Sequence, residues 1–218
     1  MGNLLTGLNG GNTPTLDLIL TITLVALLPS IVIMMTSFTR IIIILSFTRT
    51  AMGVQQTPPN TVLVGIALFL TLFIMSPTIS EINETAYQPY KQGVITQDEA
   101  VQKAVIPMKQ FMLRNTEKKT LDHFVDMSKT EMKEDVVEYP LTVVTPAFMT
   151  SELKRGFMAG FLLYLPFLLI DIVVSTTLMA MGMVMLPPTM VSMPFKLLLF
   201  ITVNGWELLF GNIVQSFR

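Results

Sequence analysis

The chain has 218 residues, of which 51% are hydrophobic and only 13% are charged, whereas about 25% of the residues of an ordinary soluble domain are charged. This composition excludes an ordinary water-soluble globular protein. A net charge of −1 provides no field that would favour nucleic acid, and the absence of cysteine excludes disulfides and thiolate metal sites.

The few charges are concentrated in one block. Between Ser80 and Arg155 lie 12 of the 15 acidic residues and 10 of the 14 lysines and arginines. This distribution predicts an all-α integral membrane protein in which four hydrophobic helical segments, arranged as hairpins, flank one water-facing helical insertion. The predicted divisions are a head (1–15), a first hydrophobic hairpin (16–79), the insertion (80–155) and a second hydrophobic hairpin with a methionine-rich loop (156–218).

The head is rich in Gly, Asn and Thr and lacks a basic n-region, so we predict a short flexible segment rather than a cleavable signal peptide. Whether the N-terminus is processed stays open.

Two apolar runs follow, Leu16–Phe38 with a continuation beyond Arg40, and Thr61–Ile79. Each is long enough for a bilayer core of about 30 Å, which takes roughly 20 helical residues. The segment between the runs contains Arg40 and Arg49 but no acid. The positive-inside rule therefore predicts that this segment is cytoplasmic and that the N-terminus and the insertion are extracytoplasmic.

The insertion has apolar residues at helical spacing, and it contains the only histidine, His123. A metal site would need further His or Cys ligands. We therefore interpret His123 as a solvated surface residue and predict no metal and no cofactor.

The third run, Gly156–Leu186, has 31 residues and one charge, Asp171. A single helix of that length would be about 46 Å long, so it must tilt, leave the apolar layer or break. The sequence MGMVMLPP near its end predicts a break, with Gly182, Pro187 and Pro188 as the hinge positions.

One face of this run carries Gly156, Gly160 and Asp171 at helical spacing. Gly156 and Gly160 form a small-xxx-small pair that lets another backbone approach closely. The partner is either another helix of the same chain or a neighbouring subunit that also satisfies Asp171. The sequence does not decide between these alternatives.

The last run, Pro194–Val214, contains Lys196, Asn204 and Glu207 and is predicted as one helix. One buried charge costs about 2.5–3.5 kcal/mol on insertion scales, so this helix is better surrounded by protein than by lipid. For Glu207 we favour a hydrogen bond to a neighbouring subunit over a proton relay.

Methionines are crowded around the predicted break: six of the 17 methionines lie between residues 179 and 193. Such clusters usually fill a core, but methionine is flexible and re-packs around changing partners. At a helix break, a deformable seal around a passage is the sharper hypothesis.

Enzyme motifs are missing from the sequence, which has no P-loop, HExxH, GxSxG or glycine-rich dinucleotide turn. We predict no catalytic residues. Two other functional classes remain as alternatives to a subunit that seals a passage. One is a secondary transporter or ion channel that uses Asp171 and Glu207, and the other is a simple membrane anchor for the insertion. Transporters commonly show internal repeats, and none is evident here.

Several long motifs occur in order along the chain: FTRIIIILSFTRTAMG (Phe38–Gly53), TPPN (Thr57–Asn60), GIALFLTLFIMSP (Gly65–Pro77), PAFMTSELKRGF (Pro146–Phe157), PFLLID (Pro166–Asp171), MGMVMLPP (Met181–Pro188) and NGW (Asn204–Trp206). From about Thr21 onward the chain resembles the FliP family of flagellar export-gate proteins and its counterparts in virulence type III secretion. The wording of the motifs favours the flagellar branch.

The resemblance implies five copies in a helical ring with FliQ and FliR, in the inner membrane at the flagellar basal body, serving unfolded export substrates together with other export-apparatus proteins. It implies that Met183, Val184 and Met185 form the pore gasket, with Val184 where relatives often have Met. It further implies that Glu152 takes part in subunit contacts, alongside the candidate interface residues Gly156, Gly160, Asp171 and Glu207.

Overall fold

The computed structural model describes residues 14–54, 56–129 and 136–217, which form helices and turns and contain no strand. The helices are α1 (Pro14–Met34), α2 (Phe38–Ala51), α3 (Asn60–Ile82), α4 (Gln88–Lys91), α5 (Gln97–Arg114), α6 (Lys118–Ser128), α7 (Leu141–Ala180), α8 (Pro188–Thr202) and α9 (Gly205–Gln215). A π-turn, Asn83–Tyr87, joins α3 to α4, and a 3₁₀ turn, Val136–Glu138, precedes α7. The all-α prediction is confirmed for these residues. The predicted head lies outside them, except for Pro14 and Thr15, which begin α1.

Within the described residues, two helical stretches are long and apolar enough to span a membrane: Asn60–Lys91, with 32 residues, and Leu141–Ala180, with 40. A third candidate arises if α8 and α9 together count as one bent span. The first predicted segment forms two helices, α1 and α2, separated at Met35–Ser37. Its passage through the membrane, and hence the count of four spans, stays a prediction.

The longest element is α7, which at 40 residues is about 60 Å long, twice the thickness of a bilayer core. It begins 15 residues before the predicted third run, because Val143, Val144, Ala147 and Phe148 are buried against the insertion. The division predicted at residue 155 therefore lies inside a continuous helix. Beyond Ala180 the helix ends, in agreement with the predicted break.

The centre of the fold is a parallel pair of helices, α2 and α7. Arg40, early in α2, contacts Glu152, and Phe47, later in α2, contacts Gly160, which is later in α7. The contacts therefore advance in the same direction along both helices. A Cβ added at Gly160 would lie 2.6 Å from Cγ of Phe47, closer than any stable contact between two carbon atoms. The glycines of the small-xxx-small pair are thus needed for packing within the chain.

The described part of the insertion packs as helices on the N-terminal half of α7. Its apolar cluster consists of Met75, Phe111, Met112, Leu121, Val125, Tyr139, Val143, Val144, Ala147 and Phe148. A capping box between Thr96 and Glu99 fixes the start of α5. His123 is exposed. The helical prediction for the insertion is confirmed for these residues, and its side of the membrane stays a prediction.

The last apolar run is two helices rather than one: α8 and α9 meet at an angle of 64°. Asn204 occupies the left-handed region with φ 51°, which asparagine tolerates better than most residues. A Cβ on the following Gly205 would overlap the ring of Phe200. The expectation of a single helix over Pro194–Val214 was wrong because apolar periodicity does not reveal one left-handed residue.

Replacing Gly160 by alanine should destabilise the protein by about 1–3 kcal/mol, because the new methyl group would overlap Cβ and Cγ of Phe47. Thermal unfolding of the detergent-solubilised protein, followed by circular dichroism, measures the change.

The matched control is Gly211→Ala on α9, where no heavy atom of the described residues, apart from the adjoining helix backbone, lies within 4 Å of the added Cβ. This change should be neutral or stabilising by up to about 1 kcal/mol, since alanine is the better helix former. Equal losses at both positions would contradict the close packing of α2 on α7.

Candidate functional site

The predicted break between α7 and α8 is a defined loop. Leu178 and Met179 accept hydrogen bonds from the backbone N–H groups of Met183 and Gly182, each at 3.0 Å, and Gly182 has φ 76°. This pattern is a Schellman motif, in which a left-handed glycine ends a helix and reverses the chain. Pro187 and Pro188 then begin α8, where a fixed φ suits the first helical position. The three predicted hinge positions therefore bound the loop.

The tip of the loop projects from the chain as an uncovered apolar surface. The exposed fractions are 43% for Met183, 79% for Val184 and 98% for Met185. Leu186, which follows them, is also exposed. Apolar side chains at such exposure cost free energy in water and are typical of a surface that another molecule covers.

The two helices that carry the loop are joined by a buried polar cluster. Lys196 Nζ of α8 donates to Asp171 Oδ2 of α7 at 2.6 Å, and Ser192 Oγ donates to Asp171 Oδ1, also at 2.6 Å. Ser192 and Lys196 are 0% and 2% exposed. Both oxygens of Asp171 are thus bonded inside the chain, and the cluster fixes the register of α7 against α8.

The loop lies toward the same end of the molecule as the connection between α2 and α3. A Cβ built on Gly53, which has φ 78°, would lie 4.0 Å from Lys196 Nζ. Lys196 therefore lies beside the end of α2. The loop precedes α8 and lies beyond Lys196, on the side of the molecule where α2 ends. Arg49 of α2 donates to Asn60 Oδ1 at 2.6 Å in the same region.

A second buried ion pair lies at the opposite end of the α2–α7 contact. Arg40 Nε donates to Glu152 Oε2 at 2.9 Å, and its NH2 group donates to the other carboxylate oxygen. Glu152 is fully buried within the single chain. This bidentate geometry is the arrangement in which a guanidinium binds a carboxylate most strongly.

The same arginine also binds the end of α9. Its NH1 group donates to the carbonyl and the hydroxyl of Ser216 at 3.1 and 3.0 Å, and its guanidinium lies 3.7 Å from the ring centroid of Phe217. Phe217 in turn stacks on Phe111 of the insertion. Arg40 therefore joins α2, α7, the C-terminal turn and, through Phe217, the insertion.

The predicted interface residues lie at different depths in the single chain. Glu152, Gly156, Gly160 and Asp171 all contact other elements of this chain, whereas Glu207 is exposed on α9 and has no ion pair or hydrogen bond within the described ranges. The role of these five residues between subunits stays a prediction.

Sequence reasoning considered Asp171 and Lys196 separately and did not pair them, and it missed Ser192 and Arg40 as partners. A signal for the first pair was present. The acid lies nine residues before the end of α7 and the lysine eight residues after the start of α8. Opposite charges at similar distances from the turn of an antiparallel hairpin are expected to meet.

These features define a helical protein with span-capable helices, buried ion pairs within them and an exposed apolar loop. A family model described as the FliP family matches residues 21–213. The chain belongs to the FliP family.

Three curated relatives, each named flagellar biosynthetic protein FliP, cover most of the chain. The protein of Bacillus subtilis is 50% identical over 203 residues, which are 93% of this chain and 92% of the relative. That of Caulobacter vibrioides is 50% identical over 90% of this chain and 74% of the relative. That of Aquifex aeolicus is 45% identical over 96% of this chain and 88% of the relative.

Changing Lys196 to alanine should destabilise the protein by about 3–5 kcal/mol, because the carboxylate of Asp171 would lose its charged partner in a largely desolvated position. The midpoint of thermal unfolding in detergent measures this loss.

Lys154→Ala provides a matched control, because Lys154 also binds a carboxylate at 2.6 Å, that of Glu117, but more than half of the lysine side chain is exposed. The hydrogen bond from Lys154 lowers the pKa of Glu117, so this surface pair is charged at neutral pH. Its loss should hardly change the unfolding midpoint, since water screens an exposed ion pair. If both variants lost the same stability, the brace between α7 and α8 would not be the stabilising interaction we describe.

Proposed function

We propose that this chain is a subunit of the flagellar type III protein-export gate, in which copies of the Met183–Met185 loop close the pore through which unfolded flagellar proteins leave the cell. The observation that carries the proposal is an exposed apolar loop on a hairpin whose base is held by a buried ion pair. Family membership and the names of the relatives support the flagellar branch over a virulence secretion system.

The proposed gate consists of five copies of this chain assembled with FliQ and FliR. Five loops converging on one axis would bring Met183, Val184 and Met185 of each copy into an apolar ring. Such a constriction excludes water and ions because neither is solvated by thioether and alkyl groups. The unbranched methionines can then change rotamer around a passing chain.

The structure around the loop suits repeated opening. Asp171, Ser192 and Lys196 hold the two helices together, while the residues from Met181 to Leu186 lack any side-chain hydrogen bond among the described residues. In the proposed gate, movement would be confined to the short exposed segment between Gly182 and Pro187. The base of each hairpin keeps its position when the tip is displaced.

We place the gate in the bacterial inner membrane at the flagellar basal body, with the N-terminus and the insertion outside the cytoplasm. Arg49, which lies where α2 connects to α3, supports this orientation, whereas Arg40 is buried against Glu152 at the other end of α2. Because the loop points toward the end at which α2 meets α3, the gasket would face the cytoplasmic side of the subunit.

In this assembly, the neighbouring copies would cover the outer faces of the helices that carry Gly156, Gly160, Asp171 and Glu207. Glu152 would act indirectly, since its contact with Arg40 sets the position of α7 and of the C-terminal turn. The shape that a neighbouring copy meets therefore depends on a pair that lies inside each chain.

The gasket assignment is tested by changing Met183 and Met185 together to alanine. The smaller side chains should leave an opening at the axis, so we expect an ion conductance at least severalfold above that of the wild-type gate. Conductance of cells or of reconstituted gates containing all three gate proteins is the measurement.

Met190→Ala is the control, because this methionine is exposed on α8 but lies beyond Pro188. It should leave conductance at the wild-type level. Wild-type conductance together with normal export in the Met183/Met185 double variant would show that the loop is not the seal. Val184→Met should tighten or preserve the seal rather than open it.

A further inference from the structure

The methionines of this chain differ sharply in exposure. Met52, Met75 and Met112 are at most 3% exposed and lie in the apolar interior of the fold. The exposed methionines among the described residues are Met34, Met127, Met158, Met179, Met181, Met183, Met185 and Met190. Five of these eight lie between residues 179 and 190, in the last turn of α7, the loop and the first turn of α8. Exposed thioether groups are therefore concentrated at the loop.

Exposure decides which of these thioethers an oxidant can reach. Hydrogen peroxide transfers one oxygen atom to the sulfur: a sulfur lone pair forms the S–O bond, the O–O bond breaks, and water leaves. The sulfur loses two electrons, the peroxide gains them, and the apolar thioether becomes a polar sulfoxide. Because the oxidant must touch the sulfur, Met185, whose side chain is almost completely exposed, should react before the methionines of the core.

The loop has few hydrogen-bond donors for a sulfoxide oxygen. The side chains from Met181 to Leu186 are all apolar or absent and contain no donor. The backbone N–H groups of Gly182 and Met183 are already donated to the carbonyls of Met179 and Leu178. A sulfoxide formed at the tip therefore takes its hydrogen bonds mainly from water.

We propose that Met185, together with Met183, is an oxidation site at which a peroxide converts the seal from a dry to a hydrated constriction. The inference rests on the proposed function and adds a regulation of the same loop. An apolar constriction stays closed because water does not fill it, and sulfoxides on every copy would bring strong hydrogen-bond acceptors to the axis. The oxidised gate leaks ions until sulfoxide reductases restore the thioethers.

Val184 limits this sensitivity. Its alkyl side chain is exposed between the two methionines and contains no sulfur for a peroxide to attack. Each copy therefore keeps one apolar position in the constriction when both sulfurs are oxidised. Hydrogen peroxide is small and uncharged, so it can approach a closed ring of loops from either side of the membrane.

The test compares the ion conductance of reconstituted gates, containing all three gate proteins, before and after treatment with hydrogen peroxide. Wild-type gates should conduct at least about threefold more after treatment, because the sulfoxides hydrate the constriction. Gates in which Met183→Leu and Met185→Leu are combined should conduct equally before and after, since leucine is apolar and has no sulfur. Each variant is compared with itself, whatever conductance it starts from.

Met127→Leu and Met190→Leu are the matched controls. Their side chains are 65% and 69% exposed, but Met127 lies in the insertion and Met190 lies on α8 beyond the loop. Both variants should keep the wild-type response to peroxide. If the double leucine variant responded as strongly as the wild type, the sensitive sulfurs would lie elsewhere and the proposal would be overturned.

Val184→Met changes the response in the opposite direction. It adds a third sulfur to the exposed tip of each copy, so the rise in conductance after peroxide should exceed that of the wild type. A response no larger than that of the wild type would contradict the proposal.

Peptide mass spectrometry of the same samples identifies the oxidised positions. Met185 should be oxidised at least about tenfold faster than Met112 of the core. Complete oxidation of Met185 without a rise in conductance would overturn the proposal. Treating the oxidised, detergent-solubilised protein with the two methionine sulfoxide reductases before reconstitution should restore the original conductance, and a leak that persisted after the sulfoxides had been removed would also overturn it.

Failure of this inference can be distinguished from failure of the proposed function. If the alanine double variant of Met183 and Met185 conducts more ions but oxidised wild-type gates do not, the loop is the seal and only the oxidation proposal fails. If neither change raises the conductance, the proposed role of the loop fails as well.

Discussion

The structure depends on oppositely charged side chains that meet inside apolar helices. Arg40 and Glu152 form the more central pair, because the arginine also holds Ser216 and lies against Phe217. Desolvating two charges is costly, and removing one partner of such a pair typically costs about 3–5 kcal/mol. The pair therefore contributes little to net stability compared with apolar residues of the same size, but it permits only one register of α2, α7 and the chain end.

The second pair applies the same principle to the loop. Asp171 binds both Ser192 and Lys196. The two helices that carry the loop therefore cannot slide past each other without losing these two hydrogen bonds and leaving three polar side chains unpaired. The tip beyond this cluster has no comparable constraint. A rigid base and an exposed tip occur in one hairpin because Asp171, Ser192 and Lys196 join the two helices, whereas the loop from Met181 to Leu186 is apolar and exposed.

Much of the apolar surface of the two long helical stretches is left uncovered by the rest of the chain. Both long helical stretches bury only a minor part of their most apolar windows within the chain, 28% for Asn60–Lys91 and 11% for α7. Lipid or neighbouring protein would have to cover these alkyl groups, because exposing them to water costs free energy. In the proposed gate, neighbouring subunits would cover part of this surface.

Local sequence pattern was enough to predict the helical class, the apolar runs, the concentration of charge in the insertion, the break at MGMVMLPP and the family motifs, because hydropathy and helix-breaking residues act locally. The folded chain was needed to show that Asp171 meets Lys196, that Arg40 meets Glu152, and that the small-xxx-small glycines face α2 of the same chain. It was also needed to show that the last run bends at Asn204. The two ion pairs join residues that are 25 and 112 positions apart in the sequence. Such contacts follow from the side chain that another helix presents, and helix packing decides which one that is.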